Sequence, residues 1–153
     1  MPRLRQLTTI LALVAAATLG LAACDGDSAE NNEYVDEVNA VSSQLLDSVS
    51  SLPAGAGSPG QISSALNQVS KQVGTAATDL AEIDPPEDVA DLHDEIVADL
   101  ETLEGEATEA ANEVKAGGAA AAIGVVGRFV AEANRLGAEI DSTISEINST
   151  LQN

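Results

Sequence analysis

From Tyr34 to Leu151, apolar side chains return every three or four positions, and clusters of proline or glycine interrupt them at three places. That spacing places the apolar residues on one face of an α-helix, whereas a strand would need alternation with period two. The first run is Tyr34, Val38, Val41, Leu45, Val49 and Leu52, predicting a helix over 33–52 that Pro53 and the Gly/Ala turn at 54–57 end. The second is Ile62, Leu66, Val69, Val73, Ala76, Leu80 and Ile83, an unbroken alternation of four and three that reads as a coiled-coil seam. Gly74 inside it costs about 1 kcal/mol relative to alanine.

The boundaries carry their own signals. Ser58-Pro59-Gly60-Gln61 has a capping serine, a proline fit for a first turn and a glutamine three residues after the cap. Asp84-Pro85-Pro86-Glu87 is expected to repeat this with an acidic cap, and its two prolines allow only a tight corner between antiparallel helices. A third helix follows to about Ala116, with Val89, Leu92, Ile96, Leu100, Leu103, Ala107, Ala110 and Val114 inward, and Gly117-Gly118 ends it. A fourth is expected over 119–151, with Ile123, Val126, Phe129, Val130, Ala133, Leu136, Ile140, Ile144, Ile147 and Leu151 inward. Gly124 and Gly127 weaken its first turns. The chain is thus expected to be all-α, an up-down antiparallel four-helix bundle over 33–153. The alternative is a three-helix bundle with a loosely docked first helix.

Ahead of this domain lies a different segment. Arg3 and Arg5 precede Leu7–Ala23, 17 uncharged residues, marginal against the roughly 20 that span a bilayer. The run ends in Leu21-Ala22-Ala23-Cys24. These residues resemble the lipobox of bacterial lipoprotein precursors. The resemblance implies a signal peptide over 1–23, cleavage before Cys24 and acylation of Cys24, first on its thiol and then on the new amine, with palmitate-type chains. Cys24 is the one cysteine, so no intramolecular disulfide is possible, and acylation would remove an otherwise reactive thiol. With about 0.8 kcal/mol for each buried methylene, two or more chains make a stable anchor. Asp25 resembles an inner-membrane retention signal if the cell has two membranes. The Ala-rich, Lys-poor composition looks actinobacterial. Residues 24–32 read as a flexible acidic tether.

With Arg3 and Arg5 removed, four basic residues face 25 acidic ones, a net charge of −21. Such a surface repels phosphate backbones and anionic lipid, so no nucleic-acid partner is expected and the body should stand off the membrane. Tyr34 and Phe129 are the only aromatic side chains, which leaves little for stacking a sugar or a nucleobase.

Candidate chemistry is sparse. His93, the one histidine, is expected at the edge of its helix's stripe, and with Ala90 three residues before it there is no Glu-x-x-His metal motif. No nucleophile elbow, P-loop or dinucleotide fingerprint occurs, and Asp25-Gly26-Asp27 lacks the later ligands of a calcium loop. Acidic residues accumulate between Lys71 and Lys115 without one basic residue, and Glu87, Asp91, Glu95 and Asp99 repel at spacing four. They form either a solvated face or a low-affinity site for divalent cations. The expectation is a non-enzymatic lipoprotein on the extracytoplasmic face of the cell membrane. It would have no catalytic residue, metal or cofactor, and its helical bundle would serve as an interaction or spacer module for an envelope protein partner. The alternative is a lipoprotein that captures cations or small ligands.

Overall fold

A computed structural model describes residues 27–50 and 58–152, with side chains over 31–43 and 58–152. The lipobox and Pro53 lie outside the described residues. What is described is all-helical, without a strand. Helix α1 is Asp27–Ser50, α2 is Pro59–Ala81 and α3 is Ala90–Leu151, preceded by a single 3₁₀ turn at Glu87–Val89. Helix α1 therefore starts at Asp27, and most of the segment expected as tether is helical. Serine, acidic and asparagine residues there keep it polar while leaving helical backbone accessible.

The start of α2 follows the sequence signal. The Gln61 N–H donates to Ser58 Oγ at 3.4 Å, the Ser58 N–H donates to Gln61 Oε1 at 2.8 Å, and Pro59 occupies the first turn. The start of α3 does not. No side chain caps it, and the expected box of Asp84 and Glu87 is absent. Each residue before a proline is pushed to extended backbone. Asp84 and Pro85 both stand in that position, so the chain stays extended until the 3₁₀ turn closes with Val89 N–H donating to the Pro86 carbonyl at 3.0 Å.

Helix α3 is interrupted at Gly118, where φ is 61° and ψ is −150°. This region is open essentially to glycine alone. A Cβ on Gly117, next to it, would sit 2.4 Å from Ala121 Cβ. The two glycines turn α3 back on itself. Arg128 consequently pairs with Glu113 across the turn, and Ile140 and Ile147 of the C-terminal arm share a core cluster with Ile96 and Leu100 of the N-terminal arm.

Helix α2 runs antiparallel to the N-terminal arm of α3. Ser63 Oγ donates to the Ala111 carbonyl at 2.8 Å and Ser70 Oγ lies 2.8 Å from Thr108 Oγ1. The buried seam of α2 is Ser63, Leu66, Ser70, Val73, Ala76, Ala77 and Leu80, while Ile62 and Val69 are only half-buried. Two serines sit inward because each finds a partner, and such a bond contributes about 1 kcal/mol net. At Gly74 a Cβ would lie 2.6 Å from the Glu104 carboxyl carbon, the far end of a flexible side chain that can move aside.

The core has two centres. At the proline-corner end Tyr34, Val73, Ala77, Leu80, Val89, Ile96, Leu100, Ile140 and Ile147 pack together, with Val35, Val38 and Val41 of α1 against them. At the Gly118 end Leu66, Ala110, Ala111, Val114, Ala122 and Val125 form a smaller cluster built largely of alanine. Here the expected register of the last arm fails. Ala122 and Val125 are buried, and Ile123, expected inward, is 86 % exposed. With Ala122 and Val125 packed beside Val114 and Ala111, helical spacing leaves Ile123 on the outer side.

Candidate functional site

Three features bear on function: a buried pair joining α1 to α3, an acidic face, and an apolar end at Gly118.

His93 is not a boundary residue. It is 2 % exposed, and Tyr34, 3 % exposed, reaches it from α1 with Oη 3.2 Å from His93 Nδ1. The rings meet tilted, centroids 5.7 Å apart. His93 follows Val89 by four residues and precedes Ile96 by three and Leu100 by seven, so a seam through position 93 was as legible as the one through Leu92. Burial lowers the His93 pKa below its ordinary value, opposed by the Asp94 carboxylate and the Leu80 backbone carbonyl. Burial pushes the Tyr34 phenol up to about 12. The imidazole is therefore neutral near pH 7, with the Tyr34 hydroxyl at Nδ1 and the Leu80 carbonyl also facing the ring. The pair joins α1 to α3 inside the core.

The acidic face is real as a surface. Glu87, Asp91, Asp94, Glu95 and Glu101 are exposed. Asp99, between this face and the C-terminal arm, differs. One carboxylate oxygen is buried without a partner, and burial, then Glu139 and Glu95, raise its pKa, while Arg135 opposes them. Arg135 itself is occupied, with Nε 3.0 Å from Glu132 Oε1 and Nη1 2.6 Å from Glu139. These bonds hold the Glu132 carboxyl below its usual range. Among the described residues no three His, Cys, Asp or Glu side chains gather as metal ligands do. The lipidation residue Cys24, with Leu21, Ala22 and Ala23, lies outside the described residues.

The Gly118 end is of another character. Helix α3 contains an 18-residue apolar stretch of which only 17 % is buried, and the turn at Gly118 breaks it, so it is not one continuous spanning helix. Between Glu113 and Glu132 the sole charged residues are Lys115 and Arg128, which places that stretch around the turn. Ala119, Ala120, Ile123, Gly124 and Gly127 are exposed on it. The composition signalled an apolar segment here, but not that it would face outward.

No family model matches this chain. Neither a curated protein nor a solved structure matches it either. The functional reading therefore rests on the chain's own residues.

Proposed function

We propose that this chain is a membrane-anchored cell-envelope lipoprotein whose acidic helical domain is a non-enzymatic interaction or spacer module. The observation that carries the reading is Cys24, the one cysteine, directly behind Leu21-Ala22-Ala23 at the end of a 17-residue uncharged run. Signal-peptide and cysteine logic converge on acylation there. The two arms of α3 are taken as the third and fourth members of an up-down antiparallel bundle. Its length, about 40–50 Å for arms of 28 and 33 residues at 90–117 and 119–151, suits a spacer. A packed seam, a solvated acidic surface and, among the described residues, no grouped nucleophile and base favour presentation to a partner over turnover. Capture of divalent cations by the acidic face is the alternative, tested below by calcium.

The decisive experiment is metabolic labelling with a radioactive fatty acid, followed by fractionation, for wild type and Cys24→Ser. The wild type should carry label and sediment with membranes. The variant should be unlabelled and accumulate as full-length precursor or as a soluble product. A variant that stays membrane-bound at the mature mass of the wild type would show that acylation is not the anchor.

A further inference from the structure

A helix that is apolar all round belongs in a protein core or in hydrocarbon. The first turns of the C-terminal arm of α3 are of this kind. Ala122 and Val125 face inward against Leu66, Ala111 and Val114. On the other side Ala119, Ala120, Ile123, Gly124 and Gly127 are exposed, and Ile123 is 86 % exposed. Burial in the core thus accounts for one side only. From this two-sided apolar character, together with the charge pattern beside it, we propose that the Gly118 end of the hairpin docks into the interface of a phospholipid bilayer.

The charge pattern selects the occupant. In a chain of formal net charge −19, no acidic residue lies between Glu113 and Glu132, and of the two charges present Arg128 is ion-paired with Glu113 across the turn while Lys115 is exposed. Carboxylates would oppose entry into the hydrocarbon boundary, and Arg128 offsets the one at Glu113, whereas a lysine such as Lys115 reaches phosphate groups while its stem stays in apolar surroundings. The body of the protein repels an anionic surface, and this end is where that repulsion is least. A protein groove is less well matched. Hot spots at such interfaces are enriched in Trp, Tyr and Arg, and this face offers alanines, glycines and a single isoleucine.

Geometry sets the depth. Residues 119–131 are 13 in number, about 20 Å of helix, too short to span and suited to insertion at the boundary. The end is about 40 Å from His93, 25 residues along the arm, hence remote from the start of α1. Docking at this end does not require acylation of Cys24.

The chain contains no tryptophan, so one introduced at position 123 reports on this end alone. The full chain carrying Ile123→Trp is mixed with phosphatidylcholine vesicles whose acyl chains are brominated. A parallel sample carries Glu101→Trp, on the exposed acidic face. Ala120→Trp provides a second reporter on the same side as Ile123, and circular dichroism checks that each variant keeps wild-type helix content. Emission from positions 123 and 120 should shift to the blue and be quenched several-fold, with position 101 unchanged. If the N-terminal segment alone holds the chain to the vesicle, none of the three is quenched and the proposal fails. Equal quenching at 101 and 123 would also overturn it, since contact would not be confined to this end. A blue shift that grows with protein concentration without vesicles would assign the face to a second copy instead.

Discussion

Tyr34 on α1 and His93 on α3 are 59 residues apart in the chain, yet their side chains meet in the core with Oη 3.2 Å from Nδ1. Helix α1 adds Val35, Val38 and Val41 to the same cluster, so the hydroxyl–imidazole contact fixes where along α3 those valines settle.

Tyr34→Phe keeps the ring and removes the hydroxyl, leaving His93 Nδ1 buried and unsatisfied. The expected cost is about 1–3 kcal/mol. Hydrogen exchange should report it chiefly as faster opening over 31–43, with α2 and the arms of α3 less affected. Uniform loss of protection throughout would show that α1 and the rest unfold as one unit. Because Tyr34 is the only tyrosine, its ionisation can be followed by tyrosinate absorbance. Burial raises its pKa from 10.0 to about 12, so its contribution to stability is present below pH 10 and lost as pH rises toward 12. Tyrosinate appearing already near pH 10 in the folded protein would contradict the burial.

His93 gives a dependence in the acid direction. Its folded pKa lies below the ordinary 6.5, so on acidification the unfolded chain takes up the proton first. The contribution is full above pH 6.5 and is lost as pH falls below it. The groups facing the ring are the neutral Tyr34 hydroxyl, the Leu80 carbonyl and Asp94. Asp99 and Asp141 act oppositely: burial raises both from 3.8, so acid favours the folded state as they protonate. Comparing wild type with His93→Gln isolates the histidine. Between about pH 7.5 and about pH 5.5, which brackets the ordinary histidine value, wild type should lose more Tm than the variant. Parallel Tm curves would show that His93 titrates normally.

Gly118→Ala tests the turn in α3. A non-glycine residue at φ 61°, ψ −150° carries about 1–3 kcal/mol of strain. Chemical denaturation should show a loss of that size, with helix content retained below the transition. A stabilised variant would mean that the two arms are joined by ordinary helical backbone.

Carboxylates at spacing four on α3 repel one another, so monovalent salt should raise Tm as the Debye length falls from roughly 30 Å at 0.01 M to about 10 Å at 0.1 M. Calcium at equal ionic strength should add little. Specific binding would instead add about 2.7 kcal/mol at a hundredfold excess over Kd. A calcium-specific rise, abolished when Asp91, Glu95 and Asp99 become asparagine or glutamine, would favour the ligand-capturing reading.

Much of the helical layout was legible in local chemistry. The Ser58–Gln61 box, the stop at the proline corner and the break at Gly117-Gly118 each depend on backbone freedom within a few residues, which a sequence states directly. The box at Asp84 was misread because the restriction that Pro85 and Pro86 place on their predecessors outweighs the preference of an acidic cap. The proposals of a spacer and of an anchor at Cys24 rest on sequence alone, on charge, cysteine usage and the lipobox residues. Which face turns inward was decided only by tertiary packing. In an alanine-rich helix neighbouring faces differ little in hydrophobicity, so the partner's shape selects between them. Ala122 and Val125 pack with Val114 and Ala111, which turns Ile123 outward. Ser63 and Ser70 enter the seam because Ala111 and Thr108 satisfy them. His93 is buried because Tyr34, distant in sequence, supplies the hydrogen bond that makes burial of an imidazole tolerable.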